Sequence, residues 1–227
     1  MQRENTRLLF FFIASFFFIL PPLFLQSSNF SFSEISFPTM QASFAFFAII
    51  LYFVFFQTQN KRKSALAFHI NVGFTLLTFG ALCILATIIN LISIFLKKTN
   101  EINFSSPKNF SSILFLLLLF AFASWFEEIM YRAFLPFAVN NLLKIFFNKI
   151  NFTNHLQNEK IIFFISEFFA LFSFALSHKY LGFFSVVNAL CAGIILRLCF
   201  LKTKTPFTNF FAHFFYNVFF LFLKIAF

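Results

Sequence analysis

Seven mostly apolar stretches, at approximately 8–25, 40–56, 66–96, 110–134, 161–178, 181–201 and 206–226, take up most of this 227-residue chain. A helix needs about 20 such residues to cross the hydrocarbon core of a bilayer. The third stretch is long enough to tilt strongly or to break near Gly73 or Gly80. The last three follow one another closely. No strand-like alternation competes, and no internal repeat is evident. Only 11% of the residues are charged, against roughly 25% in a soluble domain, so this much apolar surface has no stable place in water. The expected fold is therefore all-α, a polytopic helical membrane protein with roughly seven (six to eight) transmembrane helices. The 49 phenylalanines read as compositional bias filling lipid-facing positions and not as an aromatic binding site.

The net charge of +10 does not point to nucleic acid, which needs a basic face on a soluble fold. The longest basic run is Lys61-Arg62-Lys63, between two apolar stretches, where basic residues serve membrane topology. With seven spans and a cytoplasmic N-terminus, ten basic residues fall inside: Arg3, Arg7, Lys61, Arg62, Lys63, Lys144, Lys149, Lys160, Lys202 and Lys204. Five fall outside: Lys97, Lys98, Lys108, Lys179 and Lys224. The bias favours an N-terminus in the cytoplasm. No organelle signal is seen, so the cell (plasma) membrane is expected. Arg3 and Arg7 precede an apolar run as in a signal peptide, but Pro21-Pro22 and Leu25-Gln26 follow with no small-x-small cleavage site, so an uncleaved first helix is expected. The N-x-S/T triplets at Asn29, Asn103, Asn109 and Asn151 are no more than chance in a chain this rich in Asn and Ser. Cys83, Cys191 and Cys199 lie in apolar stretches at no metal-ligand spacing and read as small apolar side chains. Residues 137–160 look amphipathic and are expected along the interface or in a cytoplasmic connection.

Ionisable groups inside membrane spans are costly, so each is a candidate for function. The first cluster is Glu127-Glu128-Ile129-Met130-Tyr131-Arg132. At about 100° per residue, Glu128 and Arg132 share a helix face one turn apart and can pair, whereas Glu127 points roughly 100° away. Geometry thus separates a structural carboxylate, Glu128, from one free to face a cavity, desolvated and with a raised pKa suited to a general base, Glu127. Solvated charges at a helix end are the alternative. The second cluster is Phe174-Ala175-Leu176-Ser177-His178, whose histidine is also explained as an interfacial or packed residue. In the third, His213 and Asn217 share one face of the last span, flanked by Phe, and each needs a polar partner from another helix. Interhelical glue is the alternative to a site. Glu167 and Arg197 are expected to form a structural pair. His69 and His155, in connecting or interfacial regions, receive no role.

Taken together, E-E-x-x-x-R, F-x-x-x-H and H-x-x-x-N, in that order on three membrane helices, resemble the CPBP family. That family holds the CAAX-prenyl proteases and the bacteriocin-processing or abortive-infection membrane proteins. Ala192-Gly193 and the polar turn Lys202-Thr203-Lys204-Thr205 add to the likeness, which covers roughly residues 110–222. Residues 106–227 would be the CPBP-like protease core and 1–105 its N-terminal transmembrane helices, within one continuous membrane domain. The chain departs from the family in having Ala133 where Gly commonly follows the arginine, and in lacking a Gly in the turn before the last motif. The resemblance implies an intramembrane glutamic endopeptidase without metal or cofactor. In it Glu127 activates water, His178 assists, His213 and Asn217 form the oxyanion hole, and Glu128, Arg132 and Phe174 support the site. With no Asp in the chain and no Ser or Cys arrangement competing as nucleophile, water is the economical choice.

Two other readings compete. Glu127, His178 and His213 would make an acceptable zinc set, although no H-E-x-x-H is present. A non-catalytic membrane scaffold or bacteriocin-immunity protein could keep the same residues as glue. A transporter fits less well, because the polar residues cluster instead of tracing a path and no inverted repeat is visible. The expected partners of the protease are the lipid bilayer and a membrane-associated or lipid-modified peptide or protein, with nothing in the sequence that reads a prenyl group.

Overall fold

The computed structural model describes residues 2–24, 37–57, 71–96, 109–149 and 155–226. Lys61, Arg62, Lys63, His69, Lys97, Lys98 and Lys108 lie outside the described residues, as do Asn29, Asn103 and Asn151. All regular structure among the described residues is helical: α1 (Gln2–Phe24), α2 (Thr39–Leu51), α3 (Val72–Phe95), α4 (Phe110–Glu127), α5 (Leu135–Lys149), α6 (His155–Leu176), α7 (Phe183–Thr203) and α8 (Pro206–Ala226). Among the described residues, five helical segments are long and apolar enough to cross a bilayer: Thr39–Phe56, Val72–Phe95, Phe110–Asn148, Phe183–Thr203 and Pro206–Leu223. α1 adds a shorter apolar stretch, Asn5–Pro21. α6 carries three charges, Glu159, Lys160 and Glu167, and packs between α5 and α7. The chain is an integral, polytopic helical membrane protein. Its outer surface agrees, since Phe17, Phe95 and Phe110 are 77%, 85% and 81% exposed, which only lipid tolerates on this scale.

The stretch 137–160, expected along the interface or in a connection, is helical over its described residues. Helix does not stop at residue 134 but runs on through α5 to Lys149, and Lys144 meets Glu159 of α6 at 4.0 Å. The 39-residue segment Phe110–Asn148 would measure roughly 58 Å at 1.5 Å per residue, far more than a ~30 Å hydrocarbon core. α5 therefore cannot share a straight span with α4.

The join between α4 and α5 is a π-helical stretch, Glu128–Phe134, in which every residue is buried. The cause lies just downstream in the sequence. Pro136 has no N–H, and in a regular helix its ring would clash with the carbonyl of residue 132. The chain answers by widening its turn: the Leu135 N–H reaches back five residues to the Met130 carbonyl, the signature of a π-turn. The seven residues so wrapped, which include Glu128 and Arg132, sit in the core with Phe55, Phe126, Leu135, Ala138 and Phe174 around them.

α7 and α8 are joined by a tight turn. Lys204 closes α7 in the left-handed conformation, φ 55°, where glycine is the usual residue. The Phe207 N–H donates to Thr205 Oγ1 at 3.3 Å, and Pro206 opens α8, where its missing N–H costs nothing. α3 lies against both helices of this hairpin. Its cap Asn71 takes the Phe74 N–H on Oδ1 and donates its own N–H to Thr208 Oγ1, at 3.1 Å each.

Candidate active site

α4 with its π-turn, and α8, bring the first and third motifs face to face. His213 sits between the two glutamates. Its Nδ1 is 2.9 Å from Glu128 Oε1, and its Nε2 is 3.7 Å from Glu127 Oε2. The Glu128 carboxylate can only accept, so the proton of this hydrogen bond belongs to Nδ1 of the ring. Glu128 is wholly buried and His213 nearly so, whereas Glu127 keeps 20% of its side chain exposed. The two adjacent carboxylates therefore differ, Glu128 sequestered and Glu127 partly accessible.

Glu128 pairs with Arg132 as expected, Nε to Oε2 at 3.6 Å, but its hydrogen bonds go elsewhere. Besides His213 on Oε1, its Oε2 accepts from Asn209 Nδ2 at 3.0 Å. Arg132 is drawn over the Phe174 ring, 3.8 Å from its centroid, a cation–π contact made strong by burial. Its Nε and Nη2 have no hydrogen-bond partner among the described residues, so this stacking and the Glu128 charge carry it.

Phe174 also meets Tyr131 at 5.3 Å and His178 at 4.8 Å, both edge-on. It thus separates His178 from Arg132. His178 Nδ1 lies 2.9 Å from the Phe174 carbonyl and 3.2 Å from Ser177 Oγ, at the C-terminal end of α6. None of its described contacts is with Glu127. The following turn does come near that carboxylate: burial first, and the Glu127 charge second, push the Tyr180 phenol up to about 12. Asn217 donates to Ser124 Oγ on α4 at 3.2 Å. Ser124 is one turn before Glu128, so Asn217 stands one turn from His213 along the same seam.

Glu167 and Arg197 form the pair anticipated for them. Arg197 Nε meets Glu167 Oε2 at 2.6 Å and Nη2 meets Oε1, a two-pronged bridge between α6 and α7. Its remaining nitrogen, Nη1, donates to the main-chain carbonyl of Arg132. A cavity of about 140 Å³ lies behind the first motif, bounded by Tyr131, Arg132, Glu167, Leu171, Gly193 and Arg197. Glu127 is not among its walls, so this cavity is not the one that carboxylate was expected to face.

No three His, Cys, Asp or Glu side chains gather into a metal-binding group among the described residues. The zinc set drawn from the sequence would need His178 beside Glu127 and His213, and His178 instead bonds within its own turn. Sequence reasoning missed two site residues. Asn209 lies four residues before His213 and so on its face, and Ser124 lies four before Glu128. Both were legible as polar side chains at helical spacing within apolar spans.

Residues 109–219 match the family model described as Type II CAAX prenyl endopeptidase Rce1-like. No curated protein and no solved structure gives a significant match.

Proposed function

From the premise that residues 109–219 carry the Rce1-like type II CAAX prenyl endopeptidase pattern, we propose that this integral membrane protein is a glutamic endopeptidase of membrane-associated or lipid-modified peptides. Glu127 takes a proton from water as the water oxygen bonds to the scissile carbonyl carbon. The oxyanion that forms is met by donors on α8. With the Nδ1 proton engaged by Glu128, the resting ring is the Nδ1–H tautomer, and His213 reaches the oxyanion through Nε2 once that nitrogen has taken up a second proton from solvent. Asn217 supplies the second donor. Glu127 then passes its proton to the departing amine as the C–N bond breaks. His178 assists Glu127, and Glu128, Arg132 and Phe174 hold the frame. The N-terminus is cytoplasmic, and the membrane is that of the cell.

The observation that carries this reading is His213 held between two carboxylates of unequal exposure. It gives an accessible base beside an oriented donor, the two parts a water-based acyl cleavage needs. The rival scaffold also has an observation in its favour: Asn217 is tied to Ser124 and His178 to its own turn, as structural glue would be.

Both are tested by offering the purified protein, in liposomes, a mixed panel of membrane-anchored peptides. Wild type is run beside Glu127→Gln and His213→Ala, with and without chelator. Cleavage that both variants lose and the chelator spares supports the glutamic peptidase. Cleavage abolished by chelator would restore the zinc reading. No cleavage, with folded variants still supporting the cellular role, would leave the scaffold.

A further inference from the structure

Asn209 is completely buried on α8, and its amide orientation is settled by its surroundings. Nδ2 donates to Glu128 Oε2 at 3.0 Å and to the Leu196 carbonyl at 2.6 Å. Turned over, the amide would set its oxygen against two other oxygens. The side-chain oxygen, Oδ1, has no partner among the described residues. An unpaired buried acceptor is costly, so packing alone would favour leucine here. What the amide supplies is its two N–H groups, and one of them goes to the carboxylate that orients His213.

The consequence follows the bonds outward. A carboxylate has two oxygens in one plane. Asn209 occupies Oε2, which leaves Oε1 for His213 Nδ1 at 2.9 Å. His213 then presents Nε2, and not Nδ1, to Glu127. Without the amide, Oε2 would retain only Arg132, whose Nε stands 3.6 Å away, and the Glu128 plane would be free to turn toward that cation. The charged and titratable groups that face Glu128 and His213 are Glu127 and Arg132 from the first motif and Cys199 from α7.

We propose that Asn209 is a positioning residue of the active site, fixing the plane of the Glu128 carboxylate and through it the tautomer and orientation of His213. It rests on the peptidase reading for its catalytic consequence but not for its structural one. It extends the third motif upstream by one turn, so that Asn209, His213 and Asn217 form one polar stripe on α8, each reaching a residue between Ser124 and Glu128.

The test is ¹⁵N-histidine NMR of the full chain in detergent, with cleavage measured where it is present. Wild type should show His213 with its proton held on Nδ1. Asn209→Leu keeps the volume and removes the donor. Asn209→Ser is small enough to fold in place, and its hydroxyl is too short to reach Glu128. Both should release the ring to a mixture of tautomers. Both should also lower kcat roughly 10- to 100-fold, the worth of a hydrogen bond to a charged group, with KM little changed and a shifted pH profile. A folded variant of either kind that keeps the wild-type tautomer and pH profile overturns the proposal. A wild type that cleaves nothing would count against the peptidase reading alone, because the ring spectrum still decides the role of Asn209.

Discussion

Arg197 donates a hydrogen bond to the backbone carbonyl of Arg132, 65 residues earlier in the chain. A helical carbonyl is normally taken by the N–H four residues on, but here that residue is Pro136, which has none. The proline thus does two things with one missing hydrogen: it forces the π-turn through the first motif and leaves an acceptor for the cation of α7. Arg197 in turn is gripped by Glu167 on α6. Three helices are locked at the level of the site by a proline outside every motif.

Replacing that proline should therefore separate stability from activity. In an ordinary helix interior, Pro→Ala gains up to about 3 kcal/mol. Pro136→Ala should melt no lower than wild type, because the new N–H bonds the Arg132 carbonyl. Yet it displaces Arg197 from that carbonyl and tightens the turn that aligns Glu128 with His213. Cleavage should fall at least tenfold. A variant as active as wild type would show that the π-turn is incidental.

Lys204 offers a simpler case. Its φ of 55° costs an L-residue roughly 1–2 kcal/mol, and the position is one where glycine is at ease. Lys204→Gly should raise stability by about 0.5–1 kcal/mol, less than the full strain because glycine also frees the unfolded chain. Thermal melting in detergent reads the change. The departure noted from the sequence, a polar turn without glycine, is thus tolerated as strain in one residue.

How far the sequence could be read follows from the range of each interaction. Helical periodicity sets neighbours one turn apart, so Glu128 with Arg132, and His213 with Asn217, were placed on shared faces correctly. The Glu167–Arg197 bridge could be anticipated because two opposite charges in adjacent apolar helices have few other partners. Periodicity cannot say which helix faces which. That Glu128 spends its hydrogen bonds on α8 and that Phe174 carries Arg132 are matters of tertiary packing. The π-turn was missed because apolar length and periodicity do not register the missing N–H of Pro136, and helix continues past it to Lys149. The roles of His178 and Asn217 rest on the family resemblance, and their described contacts are local or structural.

Tyr180 reports on Glu127 from outside the spans. Its phenol is pushed from the ordinary 10.0 to about 12, first by burial and then by the Glu127 charge. A folded-state value above the unfolded one means that the folded protein holds its proton longer. The stability this gives is complete below about pH 10 and is lost as pH rises through about 12. Tyr180→Phe should therefore lose less stability than wild type across that window. The tyrosinate absorbance that Tyr180→Phe removes should appear at lower pH in a Glu127→Gln background. An unchanged titration there would place Glu127 farther from this turn than the present geometry has it.

The two adjacent glutamates give the sharpest contrast. Glu127 is partly exposed, with His213 Nε2 at 3.7 Å as its described ion-pair partner. Glu127→Gln keeps the shape and a hydrogen-bonding side chain at a partly exposed position, so it should melt closer to wild type than Glu128→Gln does, while abolishing cleavage. Glu128 is fully buried and bonded to both Asn209 and His213. Glu128→Gln removes the charge opposite Arg132 and turns an amide N–H₂ toward either the Asn209 amide or the His213 Nδ1–H. That leaves a buried donor facing a donor, at about 1–3 kcal/mol, and should lower the melting temperature along with activity. Equal melting temperatures for the two variants would overturn the division between a partly exposed base and a buried brace, because burial and hydrogen bonding are all that distinguish these neighbours.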